Sequence, residues 1–276
     1  MLRSEGFFQG FGGLELYYQK WAPDGRYRSA LIYIHGFGDH SSRHENLVES
    51  LVKSSKALYS FDLRGHGRSP GQRGYIGSWE ELRGDVRAFV GLVRDIDGDL
   101  PIFLMGQSMG GLIVLEYALH CPDGLTGVIA SAPAIGEVGV PAWKMVLGRV
   151  LSNIWPRFSM NAGLNDADMS RDPEVVKASE GDPLTHSRGT TRLAAELQDA
   201  ITWTLSHAPE FPVPLLMLHG SADRVVPPEA SRRFYEDVTL DDKERIEYPG
   251  SYHELDNDTN HAEVLRDLIA WMEKRH

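Results

Sequence analysis

The sequence predicts an α/β fold, a mostly parallel central sheet flanked by helices, with an inserted helical cap. Three observations predict it. Short apolar runs, at Ala30–Ile34, Pro101–Met105, Val128–Ser131 and Val213–His219, read as buried strands. Longer stretches with helical spacing of apolar residues separate them as far as about Ala134. The alternation then lapses over residues 135–212. A crossover between parallel strands needs only about a dozen residues, so the excess predicts an insertion. The chain accordingly divides into a first part of the core (1–134), a cap (135–190) and a second part of the core (191–276).

The elements follow in order. Residues 1–28 read as a β-hairpin, Phe7–Phe11 and Leu14–Trp21 joined by Gly12-Gly13. Ala30–Ile34 is a strand followed by His35-Gly-Phe-Gly38. Pro101–Met105 is a strand that runs through Gly106-Gln-Ser-Met-Gly110 into the helical stretch Gly111–His120. In the cap, Trp143, Val146, Leu147, Val150, Leu151, Ile154 and Trp155 fall on one helical stripe after Pro141, a residue suited to a helix start. Arg192–His207 reads as a helix with Leu193, Leu197 and Ile201 on one side, leading back to the core. Glu244–Tyr248 is the last strand and Asn260–Lys274 the last helix.

Strand, G-x-S-x-G, helix is the nucleophile elbow of an α/β-hydrolase, and it nominates Ser108. The turn is so sharp that only small residues fit two positions either side of the serine, here Gly106 and Gly110. A glycine-rich chain meets this motif readily by chance, so the flanking strand and helix carry the assignment. A serine hydroxyl is a poor nucleophile until a neutral imidazole can take its proton. The imidazole in turn needs a carboxylate to fix its tautomer and stabilise the imidazolium. Asp223, after Val213–His219, and His253, after Glu244–Tyr248, stand in the order Ser, acid, His, at the ends of strands where open α/β sheets place their ligands.

Each assignment has a plainer alternative. Asp223 could be a turn residue or a helix N-cap, and His253 an ordinary loop histidine. His261 is a rival base, but it lies inside the last helix, a poorer place than a loop. Asp182, in Gly-Asp-Pro-Leu, is a rival acid that precedes the strand expected before the acid. His35-Gly-Phe-Gly38 alone would be a tight glycine turn. Beside the elbow it reads as an oxyanion loop, with the N–H groups of Phe37 and Met109 as the donors.

The composition narrows the class. The net charge of −11 argues against nucleic acid and against attraction of the whole surface to anionic lipid. Cys121 is the single cysteine, which excludes an intramolecular disulfide and points to a reducing, cytoplasmic location. Residues 1–20 lack the pattern of a secretory signal, and no apolar run approaches bilayer length. No repeat and no Cys/His metal spacing is present, so no metal or organic cofactor is expected.

At HGFGDHSSRHENL (35–47), SFDLRGHGRSPGQRGYI (60–76), GQSMGG (106–111), GDPL (181–184), HGSADRVV (219–226) and YPGSYHELDND (248–258), the chain resembles the monoglyceride lipase and lysophospholipase branch of the α/β-hydrolases. The resemblance runs through nearly the whole chain. It implies a Ser-His-Asp hydrolase of lipid-like monoesters with a mobile cap, with Ser108, Asp223 and His253 as the triad and Phe37 and Met109 as oxyanion donors. Mammalian members carry cysteines near the cap; here Cys121 follows the elbow helix, so thiol-directed inhibition is not expected to carry over.

The expected function is hydrolysis of monoacylglycerols or similar single-chain esters through an acyl-enzyme. A lysophospholipase or a broad short-chain esterase is the nearest alternative. A non-catalytic ligand-binding module on the same fold is the alternative from another class. The stripe that includes Trp143, Leu147 and Leu151 has two readings. It packs on the core, or it meets the acyl chain or a membrane or micelle surface, as tryptophans with basic neighbours (Lys144, Arg149, Arg157) would.

Overall fold

The computed structural model describes residues 1–136 and 149–275. Its frame is an 8-stranded sheet. The strands are β1 (Leu2–Gln9), β2 (Glu15–Ala22), β3 (Ala30–Ile34), β4 (Ala57–Phe61), β5 (Ile102–Gln107), β6 (Gly127–Ser131), β9 (Leu215–Gly220) and β10 (Lys243–Tyr248). Their spatial order is β1-β2-β4-β3-β5-β6-β9-β10. β1, β2 and β4 pair antiparallel, and from β4 to β10 all neighbours are parallel.

The parallel part explains the continuous apolar runs. Successive residues of a strand face opposite sides of the sheet, and here both sides are covered. Ile32, Leu104, Val128 and Met217 pack under helices α2 (Trp79–Asp97) and α3 (Met109–His120). Leu31, Tyr33, Phe103, Met105, Ile129 and Leu216 pack on the other side, under α1 (Glu45–Lys53) and the C-terminal helix His261–Glu273. Full burial of each such side chain contributes roughly 1.5–3 kcal/mol.

Register then gathers the loops. Ile34 pairs with Gly106, Gln107 with Ser131, Ser131 with Leu218, and Gly220 with Tyr248. The segments after β3, β5, β9 and β10 therefore leave the sheet at one edge, the carboxyl edge where ligands bind.

Between β6 and β9 the described residues form a helical stretch (149–154), β7 (Ser159–Asn161), the helix Pro173–Glu180, β8 (Arg188–Thr190) and the helix Thr191–Ser206. β7 and β8 make a small antiparallel sheet, Met160 opposite Gly189. The expected cap was helical throughout. Three-residue strands are too short to leave a period in the sequence, so the small sheet was not legible. Asp172 caps the first helix by accepting from the Glu174 N–H, with Pro173 in the first turn. Thr190 caps the second by accepting from the Leu193 N–H.

Two further boundaries differ from expectation. β1 begins at Leu2, not Phe7, because the exposed segment Leu2–Glu5 is held by register with Gln19–Ala22 of β2. Phe11 lies instead in a 3₁₀ turn whose Gly12 has φ +70°. β9 starts at Leu215 because Pro212 and Pro214 have no N–H to give a ladder.

Candidate active site

Ser108 sits between β5 and α3 at φ 56°, ψ −119°, in a left-handed region that a non-glycine residue enters only under constraint. The constraint is visible on both sides. The Ser108 N–H donates to Ser131 O (3.0 Å), while Ser108 O accepts from the Ala134 and Leu112 N–H groups. A methyl group on Gly106 would lie 2.1 Å from Gly110 O, and one on Gly110 would lie 2.1 Å from Ile34 O. Glycine at both places is a packing requirement of the elbow.

His253 approaches through the loop after β10. Its Nδ1–H donates to Asp223 Oδ2 at 2.7 Å, with both side chains buried. Its Nε2 is buried with no hydrogen-bond partner among the described residues, and His253 and Ser108 line one cavity. Asp223 is also the turn residue that the plainer reading expected. Its Oδ1 accepts from the Val225 (2.8 Å) and Val226 (2.9 Å) N–H groups. The turn therefore aims the second carboxylate oxygen at the imidazole. Burial pushes the Asp223 carboxyl up. Hydrogen bonds from His219, His253 and the backbone outweigh it and hold the group well below the usual carboxylate range.

The rivals fall elsewhere. Asp182 lines the cavity, but its Oδ2 pairs with His40 Nε2 at 2.9 Å. His261 opens the last helix and bonds Asp258 O through Nδ1.

The loop after β3 lies against the elbow. A methyl on Gly36 would sit 3.3 Å from Ser108 Cβ. His35 fixes the start of that loop, donating from Nδ1 to Gly36 O (2.8 Å) and accepting at Nε2 from the Leu63 N–H (3.0 Å). Among the described residues neither the Phe37 nor the Met109 N–H makes a hydrogen bond to the backbone. Both remain candidate donors to a ligand oxygen.

The cavity holds about 310 Å³. Carboxylates dominate its wall: Asp39, Asp166, Glu180, Asp182 and Glu254, with Arg43 opposing them. Leu164 and Met169 of the cap and Phe37 supply apolar surface. The Arg43 guanidinium binds Asp39 at 2.9 Å and lies 3.7 Å from Glu254. Burial pushes the Glu254 carboxyl up, with Arg43 opposing. Asp39, Arg43 and Glu254 escaped the sequence reading; Asp39 and Arg43 follow the oxyanion loop and Glu254 follows His253, and adjacency was the only available signal. His219 was also missed, being read simply as the end of a buried strand.

The cap is fastened to both loops. The His186 N–H donates to Gly38 O (2.9 Å), and the Thr190 N–H and hydroxyl both donate to Gly74 O. On the His253 side, the Glu254 N–H donates to Met169 O and Ser170 Oγ to Asn257 O. Arg171 binds Asp258 through Nε. Trp143 and Leu147 lie outside the described residues. Of the rest of the stripe, Leu151 is half-buried and not part of the cavity wall, whereas Val150, Ile154 and Trp155 are exposed at 47%, 60% or more. Ser152, expected on the polar face, is buried. Val150, Ile154 and Trp155 thus do not pack on the core. Among the described residues no helix is long and apolar enough to cross a membrane.

A parallel sheet with helices on both faces, a serine elbow after β5, and an aspartate and a histidine delivered by the loops after β9 and β10 make this an α/β-hydrolase. Residues 25–260 match the family described as serine aminopeptidase, S33, and the chain belongs to that family. It is 32% identical over 275 residues to a monoacylglycerol lipase of Mycolicibacterium smegmatis, covering 98% of this chain and 97% of the relative. It is also 32% identical to a caffeoylshikimate esterase of Arabidopsis thaliana, covering 99% of this chain and 86% of the relative. The crystal structure of Paleococcus ferrophilus monoacylglycerol lipase superimposes with a TM-score of 0.86 at 35% identity, covering 95% of this chain and 100% of that one.

Proposed function

We propose that the protein is a serine carboxylester hydrolase that cleaves monoacylglycerols or similar single-chain lipid esters through an acyl-enzyme. The observation that carries this reading is the convergence of Ser108 and His253 on one cavity walled by hydrogen-bonding groups, with Asp223 bonded behind His253 at 2.7 Å. His253 Nε2 takes the Ser108 proton as Oγ attacks the ester carbonyl. Asp223 keeps the proton on Nδ1 and stabilises the imidazolium. The Phe37 and Met109 amides hold the oxyanion. His253 then protonates the leaving alcohol, and water repeats the cycle on the acyl-enzyme.

The wall suits a neutral polyol leaving group. Carboxylates accept hydroxyl hydrogens, and several carboxylates against one guanidinium repel a phosphate. Val150, Ile154, Trp155, Met160 and Leu164 form an exposed apolar set on the cap, with Arg157 within the segment and Arg188 opposite Asn161 in the small sheet. Such a surface suits transient contact with a membrane or micelle that presents the ester. A single cysteine is in keeping with a reducing, cytoplasmic setting.

A substrate panel tests the reading. Monoacylglycerols should be turned over with the highest kcat/KM, ahead of caffeoyl esters, lysophosphatidic acid and aminoacyl anilides, with a fluorophosphonate labelling Ser108. Labelling with preference for the caffeoyl ester would assign the other relative's chemistry. Failure to label Ser108 in the folded protein would remove catalysis altogether.

A further inference from the structure

We infer that His219 is a positioning residue of the catalytic carboxylate, a second imidazole donor on Asp223 that sets the basicity of His253 through it. The inference rests on the triad reading above.

The geometry is local and closed. His219 is in β9, four residues before Asp223, and is fully buried. Its Nε2 lies 3.2 Å from Asp223 Oδ2 and 3.0 Å from Val226 O. Both neighbours are acceptors, so Nε2 carries the proton and donates to them. Its Nδ1 is buried without a partner among the described residues. A proton there would be stranded, so the geometry selects the Nε2–H tautomer. Asp223 Oδ2 thus receives the His253 N–H at 2.7 Å and faces the His219 N–H, shared with Val226 O, at 3.2 Å, while Oδ1 receives two backbone N–H groups. The side chain is saturated and cannot rotate without losing a donor. Among the described residues no other titratable group is hydrogen-bonded to it: Arg224 points to Asp168 and stacks over Tyr252, and Glu254 faces Arg43.

Saturation has a chemical consequence. Each donor draws electron density from the carboxylate, so it stabilises a neighbouring imidazolium less strongly. Removing the His219 N–H should loosen Asp223 and make it a stronger base toward His253. The first effect lowers kcat. The second keeps His253 protonated to higher pH and moves the acid limb of the rate profile upward. A purely structural role for His219 would not move that limb.

The test compares His219→Met, which fills the space without a donor, with His219→Gln, whose amide restores an N–H. Hydrolysis of a soluble ester is followed from pH 5 to 9, with thermal melting of each variant and Asp223→Asn as the control. Expected are a fall in kcat of about tenfold for H219M with KM within about twofold, an acid limb shifted up by about half a unit, and recovery of most of both in H219Q. An unmoved limb, whether kcat falls or not, overturns the inference, as does a loss confined to KM. If H219M does not fold, the ¹⁵N tautomer of His219 in the wild-type protein decides: Nδ1–H overturns the inference. D223N that retains a tenth or more of wild-type activity would instead remove the triad reading itself.

Discussion

At the scale of single residues, the proposed chemistry rests on Ser108, His253 and Asp223 acting as a unit. Ser108→Ala and His253→Ala should each lower kcat by on the order of 10⁴ or more with the fold intact, and the double variant should lose little further. Steady-state kinetics on one soluble ester, with circular dichroism for the fold, checks this. Gly38 offers a different kind of test. It has φ +78°, and a methyl there would meet His186 O at 2.1 Å. Gly38→Ala should weaken the cap's hold on the oxyanion loop. It should lower stability by about 1–3 kcal/mol and depress kcat more than KM. These residues differ in how plainly the sequence announced them. The elbow was legible because the backbone strain and the chemistry fall on neighbouring residues, so one short motif carries both. His219 was not, because a buried histidine at a strand end looks like any other strand residue until its distance to Asp223 is known. Glu254 meets Arg43, and through it Asp39, only across the fold.

At the scale of elements, the strands of the parallel sheet other than β4 were legible and the cap was partly so. A strand covered on both faces must be apolar throughout, and that pattern is local. The stripe from Trp143 to Trp155 announced a helix, yet periodicity alone does not say whether its apolar face meets core, substrate or lipid. Exposure of Ile154 (77%) and Trp155 (60%) turns this into a measurable contrast. Replacing both with Ser should cut kcat/KM for long-chain monoacylglycerol in vesicles by about tenfold. Turnover of p-nitrophenyl acetate should barely change, since each partly buried apolar side chain contributes at most roughly 1.5–3 kcal/mol at a lipid surface. Equal losses on both substrates would show that the stripe supports the fold.

At the scale of the whole molecule, buried histidines set limits to stability from both sides of neutrality. Burial lowers His35, His66 and His186, His186 to about 4, and they pack ring to ring beneath the oxyanion loop. Unfolding lets them take protons near the ordinary pKa of about 6.5. The unfolded chain thus binds more protons as pH falls from 7 toward 4, and stability is lost over that window. His44 is the reverse case. Burial would lower it, but Asp256 (2.8 Å) and Asp39 (3.1 Å) raise it to about 10. Its contribution is complete below about pH 6.5 and is lost as pH rises toward 10. The melting temperature should therefore fall in both directions. His44→Gln should lower stability at pH 7 by about 3–5 kcal/mol, by leaving the buried Asp256 carboxylate uncompensated and Asp39 with Arg43 alone, and flatten the alkaline decline. Thermal melts from pH 4 to 10 of both proteins check the sign of each limb.

Two of the seams that join cap to core fall on the loops that carry His253 and Phe37: Met169 and Arg171 on one side, His186 on the other. A cap transplanted from a relative would bring its own half of each seam. It would re-aim the base and the amides even if none of its side chains ever touched a substrate. In a chimera, then, specificity and turnover would be inherited together, and the trait to watch is hydrolysis of an acetate ester too short to reach the cap.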